Sequence, residues 1–375
     1  MIPLNSNLSM LRRSGIRVYT NLAKTVPDCI MLTLGEPDFD TPEAIKGAAI
    51  RSLRENRTHY APNQGVEALR SEIAAFETDR GMACGPEQVL VTAGATGALF
   101  TALLGILNPG EEVIIPTPAF PLYETIVTVA GGRPVLLDTK KDNFQLTEAA
   151  LSSVISPKTK AIVLNSPNNP TGAVLTEASL AAVKKAVLGK PVFVVCDNVY
   201  QGLSLKPCPD LSLDPDLKEQ LLLCQSFSKP YAMTGWRVGY LVGPADVIER
   251  LLLLSAAEVA SIPTFLQDAG IAALFTDPTD MALTYARRRE FVCRRLTGMG
   301  LPFPKPEGAF YVFPDISGFG LSDEEFCTRL IREGRVAAVP GSCFGCSGHI
   351  RVSYCCADGD LEKGMTRLEA FINGL

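Results

Sequence analysis

Between residues 88 and 243 the chain carries seven short apolar runs, most of them without polar alternation. They are Val89-Leu-Val-Thr92, Glu112-Val-Ile-Ile115, Pro134-Val-Leu-Leu137, Ala161-Ile-Val-Leu164, Val192-Phe-Val-Val-Cys196, Leu221-Leu-Leu-Cys224 and Val238-Gly-Tyr-Leu-Val242. Unbroken runs of this length predict strands covered on both faces. Helical patterns lie between several of them. One covers Thr96 to Leu104, and another starts at Thr176, a residue suited to cap a helix N-terminus. Strands alternating with helices predict an α/β fold with a mostly parallel seven-stranded sheet, which binds ligands at the carboxyl ends of its strands.

The texture changes after about residue 275. An Arg-rich helical pattern runs from Thr279 to Met299, followed by the apolar run Gly308–Phe313 and a helix starting at Ser322. The short runs Val336–Val339 and His349–Ser353 precede a last helix from Asp358. This alternation predicts a smaller α+β domain, completed by the first forty residues. The expected division is 41–275 for the large domain, with 1–40 and 276–375 for the small one.

Composition narrows the function. The chain has 375 residues and a formal net charge of -5, with no basic tract, which argues against a nucleic-acid partner. No apolar run is long enough to span a membrane, and Met1-Ile-Pro-Leu-Asn5 lacks the pattern of a secretory leader. The eleven cysteines are scattered, mostly within apolar runs, with no set of C-x-x-C pairs and histidine spaced for zinc. They read as reduced thiols of a cytoplasmic protein, and no metal is expected. With only His59 and His349 available, neither in a nucleophile motif, histidine-based hydrolysis is disfavoured. Lysine becomes the leading candidate for proton transfer.

The richest stretch is Ser226-Phe-Ser-Lys229-Pro-Tyr-Ala-Met-Thr-Gly-Trp-Arg237. A lysine at the end of a buried strand should have a lowered pKa, and a neutral lysine condenses with carbonyls. Ser226, Ser228 and Arg237 are groups suited to a phosphate. Four further stretches follow predicted strands or lie near the C-terminus. Gly94-Ala-Thr-Gly97 opens a helix and could face a phosphate with its amides. Asn165-Ser-Pro-Asn-Asn169-Pro-Thr-Gly172 is a Pro-rich turn that could fix an amide side chain. Asp197 in Cys196-Asp-Asn-Val-Tyr200 ends an apolar run, where a carboxylate needs a cation. Arg351 in His349-Ile-Arg-Val-Ser could fork onto a carboxylate. Taken alone, each has an ordinary explanation: a surface lysine, a strand-to-helix turn, a helix cap or a salt bridge.

Their joint order and spacing closely resemble the fold-type I aminotransferases of the aspartate aminotransferase superfamily, class I/II, which use pyridoxal phosphate. The resemblance covers nearly the whole chain, from Leu34-Gly-Glu-Pro-Asp-Phe-Asp-Thr-Pro42 through Tyr60-Ala-Pro-Asn-Gln-Gly65 to Arg351. It implies that Lys229 carries the cofactor as a Schiff base and that Asp197 pairs with the pyridine nitrogen. Tyr200 and Asn169 would bond the phenolic oxygen, and Phe120 would stack on the ring. Ala95, Thr96, Ser226, Ser228 and Arg237 would surround the phosphate. Arg351 would clamp the substrate α-carboxylate, helped by Asn169 and the Gly35 backbone. Tyr60 would reach the phosphate of a partner subunit, and Ser261 and Thr264 lie where family members meet the neighbouring site, so a homodimer is implied.

The expected reaction moves an amino group from an L-amino acid to a 2-oxo acid through pyridoxamine phosphate. A carbon–sulfur β-lyase and a non-catalytic cofactor-binding protein are the alternatives. The missing G-x-G-x-x-G counts against a nicotinamide dehydrogenase. Aspartate-specific family members place an arginine of the partner subunit shortly before the position matching Ser261. Here Ser255-Ala-Ala-Glu258-Val-Ala has none. Side-chain carboxylates are therefore not expected to be gripped in that way, and neutral, aromatic or amine-bearing donors gain weight. Glu258 could meet a cationic group or stand as a solvated carboxylate.

Overall fold

A computed structural model of the chain describes residues 6–11, 14–204 and 206–375. The Met1–Asn5 stretch lies outside them. A two-residue strand, β1 (Ile30–Met31), comes first. The apolar runs then form β2 (Val89–Thr92), β3 (Glu112–Thr117), β4 (Arg133–Asp138), β5 (Thr159–Asn165), β6 (Phe193–Asp197), β7 (Leu221–Ser226) and β8 (Gly239–Val242). The last four strands are β9 (Tyr311–Val312), β10 (Val336–Ala337), β11 (Val339–Pro340) and β12 (Ile350–Ser353). Five helices matter below: α1 (Gly15–Lys24), α2 (Glu43–Arg54), α3 (Glu67–Asp79), α4 (Gly94–Ile106) and α5 (Leu122–Val129).

The central sheet has the order β2-β8-β7-β6-β5-β3-β4. It is parallel except for β8, which runs antiparallel to both β2 and β7. Every residue of β2, β7 and β8 is buried, as unbroken apolar runs require when helices cover both faces. One core lies on the face carrying α3 and the helix Glu177–Val187, and the other on the face carrying α4 and α5. β4 departs from the expectation of two covered faces. It is an edge strand, and Leu136 stands half-exposed. Thr176 caps the helix that follows it, its hydroxyl accepting from the Ser179 amide at 3.2 Å.

The remaining residues, joined by Val199, Tyr200 and Leu203, build a second core around Phe310, Tyr311, Phe326 and Tyr354. β9, β12 and β11 form an antiparallel sheet, and β1 pairs in parallel with β10 through Ile30–Val336 and Met31–Ala337. Ser322 caps the helix Asp323–Arg329. The run at Gly308–Phe313 yields only the two residues of β9. Arg288 ties the N-terminal segment to this core, forking onto Asp38 at 2.7 and 2.8 Å and donating to Asp358 at 2.7 Å.

Candidate active site

The carboxyl ends of β5, β6 and β7 open onto one cavity of about 470 Å³. At the end of β6, Asp197 is buried, with two donors on its carboxylate. The Tyr123 hydroxyl donates to Oδ2 at 2.5 Å, and the Val199 amide approaches Oδ1 at 3.4 Å. Burial raises its pKa to about 6, against the lowering effects of the Tyr123 bond, the Val199 amide and the Lys229 charge. Burial likewise pushes Tyr123 well above the usual phenol range, with the Asp197 charge adding to it. The aspartate forms no salt bridge with any described cation and faces the cavity, which suits a protonated ring nitrogen.

Lys229 follows β7. The turn that presents it is held by its own hydroxyls: Ser226 donates to Ser228 Oγ at 2.8 Å, and the Ser228 amide donates to Ser226 Oγ at 3.1 Å. Lys229 Nζ donates to the Gly35 carbonyl at 2.5 Å and lies 5.8 Å from the Phe310 ring centre. Desolvation lowers its pKa. Cys355 and Glu36 oppose that shift, and Arg237 and Arg351 reinforce it. A carbonyl oxygen and an aromatic face are weak anchors for an ammonium, so the amine is free to react.

The Gly94 turn joins β2 to α4, and Gly94 adopts φ +68°. A Cβ there would sit 3.0 Å from Arg237 Nη2, so glycine serves both the left-handed backbone and the approach of the arginine. Arg237 donates to the Thr234 carbonyl at 3.0 Å. With Ala95, Thr96, Ser226 and Ser228 it forms one end of the cavity. Amides at a helix N-terminus, two hydroxyls and a guanidinium are a donor set suited to a phosphate.

Arg351, on β12, is fully buried. Its guanidinium lies between the rings of Tyr311 and Phe344, 4.5 and 4.9 Å from their centres. Nη1 donates to Asn169 Oδ1 at 2.8 Å and Nη2 to the Thr33 carbonyl, while Nε has no partner. A buried guanidinium held only by neutral acceptors, with one N–H unsatisfied, matches an incoming carboxylate.

The residues expected to hold the cofactor or substrate within the chain's own site line this cavity, whereas Tyr60 is 92 % exposed. Phe120 sits on the wall, edge-on to Tyr123 at 6.0 Å. The Tyr200 hydroxyl lies 3.1 Å from that of Tyr311. Thr264 donates to the His59 carbonyl at 3.2 Å, and Glu258 is exposed; neither they nor Ser261 line the cavity. Four supporting residues escaped the sequence reading: Tyr123, Tyr311, Asn165 and Thr33. Asn165 ends β5, receives the Asn169 amide at 2.8 Å and donates to the Asp197 carbonyl at 2.8 Å. A polar residue closing an apolar strand was its available signal. Tyr311 approaches so closely that a Cβ on Gly35 would lie 1.8 Å from its hydroxyl oxygen.

The comparisons with known proteins agree with this geometry. Residues 27–368 match the family model of aminotransferases class I and II. An aromatic-amino-acid aminotransferase of Thermococcus litoralis is 39% identical, over 98% of this chain and 97% of its own. A probable N-acetyl-LL-diaminopimelate aminotransferase of Bacillus subtilis is 37% identical, over 98% and 95%. The aspartate aminotransferase of Thermus thermophilus, solved with maleate, superposes with a TM-score of 0.93 at 35% identity, covering 99% and 100%. These names favour transamination over a lyase or a non-catalytic binder. The chain therefore belongs to the class I and II aminotransferases and is a transaminase that depends on pyridoxal phosphate.

Proposed function

We propose that this transaminase receives the α-carboxylate of amino and 2-oxo acids on Arg351 and Asn169, and that Lys229 is its cofactor-bearing and proton-carrying residue. One observation carries the reading. A weakly anchored lysine, a buried carboxylate without a cation and a buried guanidinium without a carboxylate meet in one cavity.

When bound, pyridoxal phosphate supplies a carbonyl for the amino group and a ring that takes up the electron pair released at Cα. Lys229 would hold it through Nζ, Asp197 at the ring nitrogen, and Tyr200 and Asn169 at the phenolic oxygen. Phe120 would cover the ring face. Ala95, Thr96, Ser226, Ser228 and Arg237 would bind the phosphate, with Tyr60 reaching the site of a second subunit. Arg351 orients the substrate from its α-carboxylate, with the Gly35 backbone beside it. Lys229 Nζ, whose pKa desolvation lowers, would remove the Cα proton and hand it on to the cofactor, the net shift that transamination requires.

The same reading extends to the assembly. A homodimer is supported by Tyr60, an aromatic side chain left 92 % exposed in the single chain. A cytoplasmic location is supported by eleven cysteines, all unpaired. No described helix is long and apolar enough to cross a membrane. The division into 41–275 and 1–40 with 276–375 is supported by the β1–β10 pairing and by a second core drawn mostly from 276–375.

The test is the absorption spectrum of the loaded protein on adding a panel of L-amino acids. Conversion to the pyridoxamine form with some donors is expected. Persistence of the original band, with pyruvate and ammonia released, would overturn it. Arg351→Lys is a second test. Losing the forked geometry should raise KM about 10- to 100-fold, with a smaller fall in kcat. An unchanged KM would remove Arg351 from the substrate.

A further inference from the structure

Asp197 and Tyr200 would have to meet two different atoms of one ring, yet they sit on an irregular turn rather than on a helix or strand interior. The backbone closes this turn only in part. The Asn198 amide donates to the Cys224 carbonyl at 3.1 Å, and the Gln201 amide donates to the Asn198 carbonyl at 3.0 Å. The side chains that follow the two site residues, Asn198 and Gln201, are buried and do not line the cavity. Both reach the same carboxylate. Asn198 Nδ2 donates to Asp210 Oδ2 at 2.9 Å, and Gln201 Nε2 donates to the same oxygen at 2.8 Å. The other oxygen, Oδ1, accepts the Ser212 amide at 2.8 Å, which fixes the carboxylate on its own loop.

The direction of each bond is forced. A carboxylate accepts and does not donate, so both amide groups turn their N–H atoms towards it. Gln201 is held from its other atom as well, because its Oε1 accepts from Arg80 Nη2, and a guanidinium only donates. Arg80 Nε lies 3.6 Å from Glu77 Oε2, and Glu77 accepts from the Tyr240 hydroxyl at 2.6 Å. Tyr240 stands on β8 opposite Gln225 of β7, the residue before Ser226. The polar chain thus runs from the Tyr200 turn to the strand pair that presents Lys229. Asn198, Gln201, Glu77 and Tyr240 are all buried, so a partner removed from this chain is not freely replaced by water.

We propose that Asp210 is a positioning residue for transamination: its carboxylate, through Asn198 and Gln201, holds the turn that sets Asp197 and Tyr200 against the cofactor ring. This rests on the reading that Asp197 meets the ring nitrogen and Tyr200 the phenolic oxygen. Asp210 touches neither substrate nor cofactor and acts only through the two amide side chains. A site built on a turn depends on such supports for its precision, and one carboxylate here supplies two of them. Asparagine cannot take its place, because it offers a single acceptor oxygen to donors that arrive at both oxygens of Asp210.

The experiment titrates the visible absorption band of the loaded protein with pH. In Asp210→Asn the midpoint should rise by about one pH unit, because a loosened Tyr200 no longer favours the ionised phenolic oxygen. The Kd for pyridoxal phosphate should rise about tenfold. In turnover, kcat should fall about 10- to 100-fold, with the donor KM within about twofold, since Arg351 is held on β12 and not by this turn. Gln201→Ala keeps Asp210 and should move the midpoint the same way by less. Combined with Asp210→Asn its effect should be smaller than the sum of the two. Asp214→Ala is the control for the loop. Asp214 accepts the Asp216 amide at 3.0 Å and pairs with Lys184, so its loss should lower stability and leave the midpoint in place. An unmoved midpoint in Asp210→Asn, or in Gln201→Ala where Asp210→Asn does not fold, overturns the proposal. So does an equal shift in Asp214→Ala, or additive effects of the two variants. If wild type converts with donors and Asp210→Asn matches it, only the positioning role has failed. If wild type converts with no donor, the reading of the site itself has failed.

Discussion

Lys229→Ala is expected to lower turnover by at least about 10⁴-fold. A positioned base alone contributes about 10²- to 10⁴-fold, and this residue would also lose its covalent role. No neighbour can replace it. The other cations of the inner cavity are Arg237 and Arg351, and a guanidinium does not give up its proton in a protein. Borohydride reduction followed by peptide mapping provides the independent readout. Wild type should carry the cofactor on the peptide containing Lys229, and the variant on none. The pH profile should follow from the enclosure of the amine. Its lowered pKa keeps more of it neutral once substrate has released it, so the acidic limb of kcat, which reports the bound complex, should level off below the ordinary lysine value of about 10.4. A variant with near-wild-type turnover, or a label on another lysine, would end the assignment.

Asp197→Asn is expected to give two effects of opposite sign. In the loaded enzyme, nothing at the end of β6 would hold a proton on the ring nitrogen, and turnover should fall by about 10³-fold. In the cofactor-free protein the same change should stabilise the fold. The folded-state pKa of Asp197 lies near 6 against an ordinary 3.8, so the folded chain holds a proton that the unfolded chain has lost between those values. Stability from this group therefore declines as pH rises through that window, by an amount on the order of 3 kcal/mol at most. Asparagine carries no charge and still accepts from Tyr123. Denaturation of cofactor-free protein should show the variant ahead by about 1–3 kcal/mol at pH 8 and level with wild type below pH 4. A less stable variant at pH 8 would show that burial of this carboxylate is compensated within the protein.

Much of this was legible in the sequence because it was local. Apolar runs without alternation marked the strands of the central sheet, and residues just beyond them, such as Asp197 and Lys229, fell where such sheets bind ligands. The edge position of β4 and the reversed direction of β8 left no trace, since both depend on which neighbour a strand finds. The supporting network was hidden for a similar reason. Tyr123 meets Asp197 across 74 positions, and Tyr200 meets Tyr311 across 111. A phenol in an apolar stretch looks the same whether its hydroxyl ends at a carboxylate or at water.

The pairing of β1 with β10 sets an order of events during synthesis. Ile30 and Met31 are made early, yet their partners Val336 and Ala337 appear some three hundred residues later. The central sheet, complete by Val242, can collapse while the ribosome is still working. The N-terminal segment must wait unpaired through all of it. A chain halted before Val336 would own its cofactor lysine and Asp197, but neither Arg351 nor the strand that packs against α1. Substrate recognition, unlike the chemical groups, is a property that only the finished polypeptide acquires.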